Sequence, residues 1–326
     1  MQTGAERAKA SPAAGSPSSV KDAVFTDIFL GEQESYLSGA SSLEGRDLAD
    51  PVVAPASLRD ELVRLREVCF ATESKMHRKD FAVKHDGVTY RVSKMESTRG
   101  VVFVLRRFPN EVPELARLGL HLGIVRRLMA PGAKGLLVIS GAIGSGKTTT
   151  ASAIVVSRLR EYGGVAITAE DPPEMPLEGK HENGLCYQTE VSRDTGGFAE
   201  ASRYIVRWNP DMIYLGEIRD ADVACEALRA SINGHLVIST AHAESVIKTI
   251  ARLNTLAEGL GQSSALLGDG LFGVVHQKLE GKPAKLRTEF LFLDGAAGAR
   301  SIIRSGKFEM LSTEINSQAT RIILGG

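Results

Sequence analysis

No uninterrupted apolar run in the 326 residues approaches the roughly 20 that a membrane-spanning helix needs. Any membrane contact is therefore expected to be peripheral or made through a partner. The opening stretch, MQTGAERAKASPAAGSPSSV, lacks the apolar centre of a secretory signal. Neither sign of charge dominates: 39 basic side chains stand against 39 acidic ones. That balance argues against a strongly basic nucleic-acid binder. Aromatic residues are scarce at 6%, with Trp208 the single tryptophan. A basic strip interleaved with aromatics for base stacking is accordingly missing. Cys69, Cys186 and Cys225 are odd in number, widely spaced and without a CxxC pair. Neither a disulfide framework nor a zinc cage follows from them, and the expectation is a reducing, cytoplasmic setting.

What is present divides along the chain. Residues 1–20 are rich in Ala, Ser, Pro and Gly, which bury too little surface to offset ordering entropy, so a disordered tail is expected. Residues 21–110 mix short β-like runs with one helical stretch. FTDIFL and FAVKHDGVTYRVSKME read as strands, the second with an Asp86-Gly87 turn signal. Between them, residues 58–70 place Leu58, Leu62, Leu65 and Val68 at helical spacing. This is the pattern of a small α+β domain. Pro109 and Pro113 then mark a linker or helix start.

Across residues 111–326 the rhythm changes to apolar strands separated by longer helical stretches. GLLVIS, VAITA, MIYLGE and HLVIST alternate with helices predicted at 147–161, 197–208, 220–231 and 244–257. Such alternation implies parallel strands joined by crossovers, a three-layer α/β sheet. Residues 259–326 are expected to hold more helix and a hairpin around KLRTEFLFLD.

The strongest chemical signal is GAIGSGKT at 141–148, which fits GxxxxGK[ST] directly between an apolar strand and a helical stretch. Gly141, Gly144 and Gly146 let backbone wrap an anion, and Ser145 and Thr149 extend the cradle. Lys147 can reach terminal phosphates and the Thr148 hydroxyl can hold Mg²⁺, so a nucleoside triphosphate is the predicted ligand. Carboxylates follow two other strands. Glu217 comes after MIYLG, where it could orient water or support the metal, and Gly216 occupies the position of the usual Walker B aspartate. Glu170, Asp171 and Glu174 close VAITAEDPPE, with an acidic surface loop the alternative reading. His242 lies just past HLVISTA, a position open to a catalytic or a structural role.

Taken together these segments resemble the type II/type IV secretion and pilus ATPases, nearest the pilus-retraction (PilT-like) branch. GAIGSGKTTT resembles that family's Walker A, AEDPPE its Asp box, GEIRD its atypical Walker B, and NGHLVISTAHAESVIKTIARL its His box. The intervening YQTEVSRDTGGFAEASRYIVRWNPD follows the same family's pattern, and YRVSKMESTRGVVFVLRRFP resembles the end of its PAS-like N-terminal domain. The resemblance implies a RecA-like P-loop NTPase domain behind a PAS-like one, assembled as a homohexamer that uses ATP and Mg²⁺. It implies that Glu217 is the catalytic Walker B carboxylate and that Glu174 positions metal or water, with Glu170 and Asp171 beside it as metal ligands. It also implies that His242 senses the γ-phosphate or a neighbouring subunit. Arg207, Arg219 and the N-domain Arg91 correspond to arginines that complete the site. The partner implied is an inner-membrane platform protein of a pilus or secretion system, at the cytoplasmic face.

Departures from the family pattern fall on packing residues. Ala169 and Pro173 replace isoleucines of the Asp box, and Ala241 replaces a large residue before His242. ARSIIRSGK matches the retraction motor's AIRNLIRE signature only in part, which leaves retraction and conjugative secretion both open. The four-cysteine zinc insert of assembly-type motors is missing. Two readings compete from other classes: a RecA-like nucleic-acid motor, and a non-hydrolysing accessory ring subunit.

Overall fold

The computed structural model describes residues 17–39, 51–191, 197–261, 264–281 and 284–323. The chain divides into two units, Met1–Phe108 and Pro109–Gly326.

In the first unit, β1 (Asp27–Leu30), β2 (Ser35–Ser38) and β3 (Val52–Val53) precede helix α1 (Arg59–Met76). Strands β4 (Asp80–His85), β5 (Val88–Ser97) and β6 (Gly100–Arg107) follow. All six form one antiparallel sheet in the order β3-β2-β1-β6-β5-β4. The β4–β5 turn is tight because Asp86 and Gly87 both adopt positive φ, 47° and 80°, the backbone a two-residue hairpin turn requires. Helix α1 buries Leu62, Leu65 and Cys69 at helical spacing. They pack with Phe81, Tyr90, Val92 and Phe103 of the sheet. The helix runs beyond the predicted residue 70 and ends at His77, which takes the left-handed conformation common at helix C-termini.

The expected tail does not extend to residue 20. Val20 is fully buried in this unit's core, and its backbone N–H donates to the Glu61 carboxylate at 2.8 Å. An apolar side chain and a half-buried acceptor, with the Pro17 carbonyl accepting from Ser57 Oγ at 2.8 Å, hold the end of a stretch whose composition alone reads as disordered. Residues 1–16 lie outside the described residues.

The second unit contains α2 (Leu122–Leu128), β7 (Gly135–Ser140), α3 (Lys147–Tyr162), β8 (Gly164–Glu170), β9 (Gly179–His181) and β10 (Gly184–Glu190). Next come α4 (Gly197–Arg207), β11 (Met212–Leu215), α5 (Ala221–Ile232), β12 (Leu236–Ala241), α6 (Val246–Glu258) and α7 (Ser264–Gly270). Strands β13 (Leu271–Glu280) and β14 (Lys285–Phe292) then lead to α8 (Ala297–Arg304) and α9 (Leu311–Ile323). The sheet order is β14-β13-β7-β12-β11-β8-β10-β9. Strands β13 to β10 in that order are parallel, and β14 and β9 are antiparallel edges. Every residue of β7, β11 and β12 is buried, as expected of parallel strands covered by helices on both faces. One core lies between the sheet and residues of α5, α6, α7 and α8, the other between the sheet and α2 and α3. Each buried Leu, Ile or Val contributes roughly 1.5–3 kcal/mol of transfer free energy. The segment KLRTEFLFLD is the second strand of a hairpin; the first is LFGVVHQKLE, whose short apolar run LFGVV does not distinguish strand from helix in the sequence.

Candidate active site

Parallel strands deliver their C-terminal ends to one edge of the sheet, and that edge is where open α/β sheets bind ligands. Here β7, β12, β11 and β8 are consecutive neighbours. Their ends place the loop after Ser140, His242, Glu217 and Glu170 along one rim, because Ala241 pairs with Ser140 and Leu215 with Ala169. The alternation of buried strand and amphipathic helix that defines the fold thus also assembles the site.

The loop 141–146 turns from β7 into α3. Gly146 is the N-cap of α3, with φ 83° and no side chain capping the first turn. The uncapped N–H groups and the positive end of a 16-residue helix make an anion site. Gly144, Lys147 and Thr148 line a cleft shared with Glu170, Asp171, Glu174, Glu217, Arg219 and His242. Gly141, Ser145 and Gly146 shape the loop behind that surface, and Thr149 follows in the first turn of α3.

A chain of polar contacts crosses the cleft. Lys147 Nζ donates to the Ala142 carbonyl at 2.9 Å and stands 3.4 Å from His242 Nδ1. His242 Nε2 lies 3.4 Å from Glu217 Oε1, and the other carboxylate oxygen accepts from Arg219 Nε at 2.8 Å. One tautomer satisfies both imidazole contacts: Nδ1 accepts from the ammonium and Nε2–H donates to the carboxylate. Burial holds the Lys147 ammonium below its ordinary pKa, opposed by the nearby Glu217 and Glu174. The side chain is 8% exposed, so the charge that would meet an anionic ligand is already largely stripped of water.

Glu170 differs from its neighbours. It is 2% exposed, and burial pushes its carboxyl up to about 7. Hydrogen bonds from Gln188, Thr168 and the Glu174 backbone oppose that shift. Its Oε1 accepts from Thr168 and Gln188, both at 2.8 Å. Glu170, expected as a metal ligand, thus lines the cleft directly before Asp171 with one carboxylate oxygen already accepting from two side-chain donors. Those two carboxylates and the Thr148 hydroxyl are hard oxygen donors, which suit a magnesium-type cation. Among the described residues no group of three or more His, Cys, Asp or Glu side chains forms a ready-made metal cage.

Arg207 and Arg91 are the other two arginines expected at the site. Arg207 ends α4, with its guanidinium 5.5 Å over the Tyr204 ring, in a separate surface depression with Arg203, Glu200 and Asp222. Arg91 belongs to the first unit, on β5 opposite Ala82 and Arg106. His235, the first histidine of its motif, faces the Pro210 carbonyl at 3.0 Å and ties two segments together. The cleft also contains Tyr214 and Thr240, to which the sequence assigned no role, Phe198 of the segment that follows the family's pattern, and Ile143, which is 89% exposed at the loop tip. Tyr214 sits three residues before Glu217 inside an apolar strand, where an aromatic reads as core.

A model of the type II/IV secretion system protein family matches residues 75–291. The chain is 34% identical over 244 residues to the type IV pilus retraction ATPase PilT of Pseudomonas aeruginosa, covering 73% of this chain and 69% of that one. It is 37% identical over 199 residues to the type II secretion system protein E of the same organism, but spans only 37% of that longer relative. In structure it resembles the pilus retraction motor PilT with bound ADP, at TM-score 0.74 and 27% identity, over 91% of this chain and 87% of that one. The fold is shared with the Legionella pneumophila ATPase DotB, at TM-score 0.68 and 23% identity, over 91% of this chain and 83% of that one. Among the described residues no helix is long and apolar enough to cross a membrane. By the family match and the PilT relationship, the chain belongs to the type II/IV secretion and pilus ATPases.

Proposed function

We propose that this chain is an ATP-hydrolysing subunit of a homohexameric motor that drives pilus retraction or type IV secretion at the cytoplasmic face of the inner membrane. The observation that carries the reading is the convergence of Lys147, Thr148, Glu174, Glu217 and His242 on one cleft at the ends of four adjacent strands. ATP would lie with its phosphates against residues 144–147, where loop amides, the α3 N-terminus and the Lys147 ammonium meet negative charge. Thr148, with Asp171 and Glu174 within the same cleft, would hold Mg²⁺. When bound, that ion neutralises charge on the terminal phosphates.

Glu217 would then orient the attacking water. His242, between Glu217 and Lys147, links the base to the phosphate-binding cation, and loss of the γ-phosphate would be felt along that chain. In the ring, Arg207, Arg219 and the first unit's Arg91 would supply guanidinium groups to charge developing on the transferring phosphoryl group. The first unit acts as the PAS-like domain and the second as the RecA-like domain, with residues 108–113 as the hinge between them. Cycles of closure would work on a membrane-embedded platform partner, and no nucleic acid is needed. The test is steady-state ATP turnover of wild type beside Lys147→Ala. The variant should show no turnover above background, and undiminished hydrolysis would remove this loop from the mechanism.

A further inference from the structure

Strand β13 runs parallel to β7, and the last register pair between them is His276 with Ser140. The next residue, Gln277, therefore stands level with Gly141, where the phosphate loop begins. It is 1% exposed. Its Nε2 donates to the Ser145 carbonyl at 2.5 Å across 132 residues of sequence. Two loop glycines lie directly against it. A Cβ on Gly141 would meet the Gln277 carbonyl oxygen at 2.3 Å, and one on Gly146 would meet Nε2 at 3.3 Å. Gln277 is the floor on which the loop rests.

We propose that Gln277 is a positioning residue for the phosphate loop, fixing the Ser145–Gly146 peptide so that its N–H faces the cleft. In a trans peptide the carbonyl and the following N–H point in opposite directions. Holding the Ser145 carbonyl down into the protein therefore aims the Gly146 N–H outward. Around it, Ser145 N–H reaches the Ala142 carbonyl at 3.3 Å and the Gly146 carbonyl accepts from the Thr150 N–H at 3.0 Å, so Gln277 is the side chain that holds the Ser145 carbonyl itself. Packing alone does not account for a glutamine here. Its Oε1 is buried without a partner among the described residues, a cost an apolar side chain of equal length would avoid.

The inference rests on the nucleotide-binding reading above, and the experiment separates the two. ADP affinity, ATP KM and kcat, and the thermal midpoint would be measured for wild type, Lys147→Ala, Gln277→Glu and Gln277→Met. Glutamate is nearly isosteric and removes the donor; methionine keeps the length and removes both polar ends, which gives a second readout if the first variant folds poorly. Both Gln277 variants should raise the ADP Kd and the ATP KM roughly tenfold, the worth of one hydrogen bond with its carbonyl left stranded, while kcat stays within about twofold. Unchanged KM, whether kcat and thermal midpoint hold or fall together, would reduce Gln277 to packing and overturn the proposal. Wild-type protein that binds no ADP, or Lys147→Ala that binds it equally well, would overturn the nucleotide-binding reading and this one with it.

Discussion

At neutral pH the Glu170 carboxyl stands near the middle of its titration, because burial raises it from 4.5 to about 7. The folded state prefers the neutral acid. The stability this group contributes is complete below about pH 4.5 and is lost as pH rises through 7. The loss is on the order of 1–3 kcal/mol. Urea unfolding of wild type and Glu170→Gln should therefore show a stability difference that changes across this window and is flat above it; a constant difference would contradict the assignment. Gly141 supplies a second residue-scale expectation. At φ 154°, with Gln277 O only 2.3 Å from the position of a Cβ, it has no room for alanine. Gly141→Ala should displace the loop and weaken ADP binding by at least about tenfold, measured by titration. Glu217 and His242 were legible as candidates because each follows an apolar run at a strand end. Gln277 and Tyr214 were not: a glutamine or a tyrosine within a strand forms no pattern until register places it beside the loop.

At the scale of elements, the helix after Glu217 is held by its own cap. Asp220 accepts from the Val223 N–H at 3.0 Å at the start of α5. Asp220→Ala should cost about 1 kcal/mol by denaturant unfolding. Turnover should fall little, because the cap fixes the helix rather than the carboxylate, whose partners are Arg219 and His242. Most of the second unit was readable from alternation, since wholly buried strands and amphipathic helices carry distinct periods. The exceptions share a cause. Strands β9 and β10 bracket the short Glu182-Asn183 turn, and β10 interleaves polar Gln188 and Glu190 with half-buried residues, so no apolar run marks it. Strand β13 has a different defect, a short apolar run of five residues, LFGVV, that fits helix and strand alike before His276, Gln277 and Lys278 break it.

For the whole molecule, the proposed ring requires that subunits act together. The chain's 39 positive and 39 negative side chains cancel, so assembly would rest on local complementarity rather than on bulk charge. The Lys147–His242–Glu217–Arg219 chain lies within one second unit, whereas Arg207 lines a separate depression of that unit and Arg91 belongs to the first unit. The most direct test is ATP turnover across a protein-concentration series, wild type beside Glu217→Ala, with molecular size followed in parallel. Specific activity should rise as hexamer appears and fall at least about a hundredfold in the variant. Full activity in a monomer, or activity unaffected by the substitution, would contradict the ring mechanism.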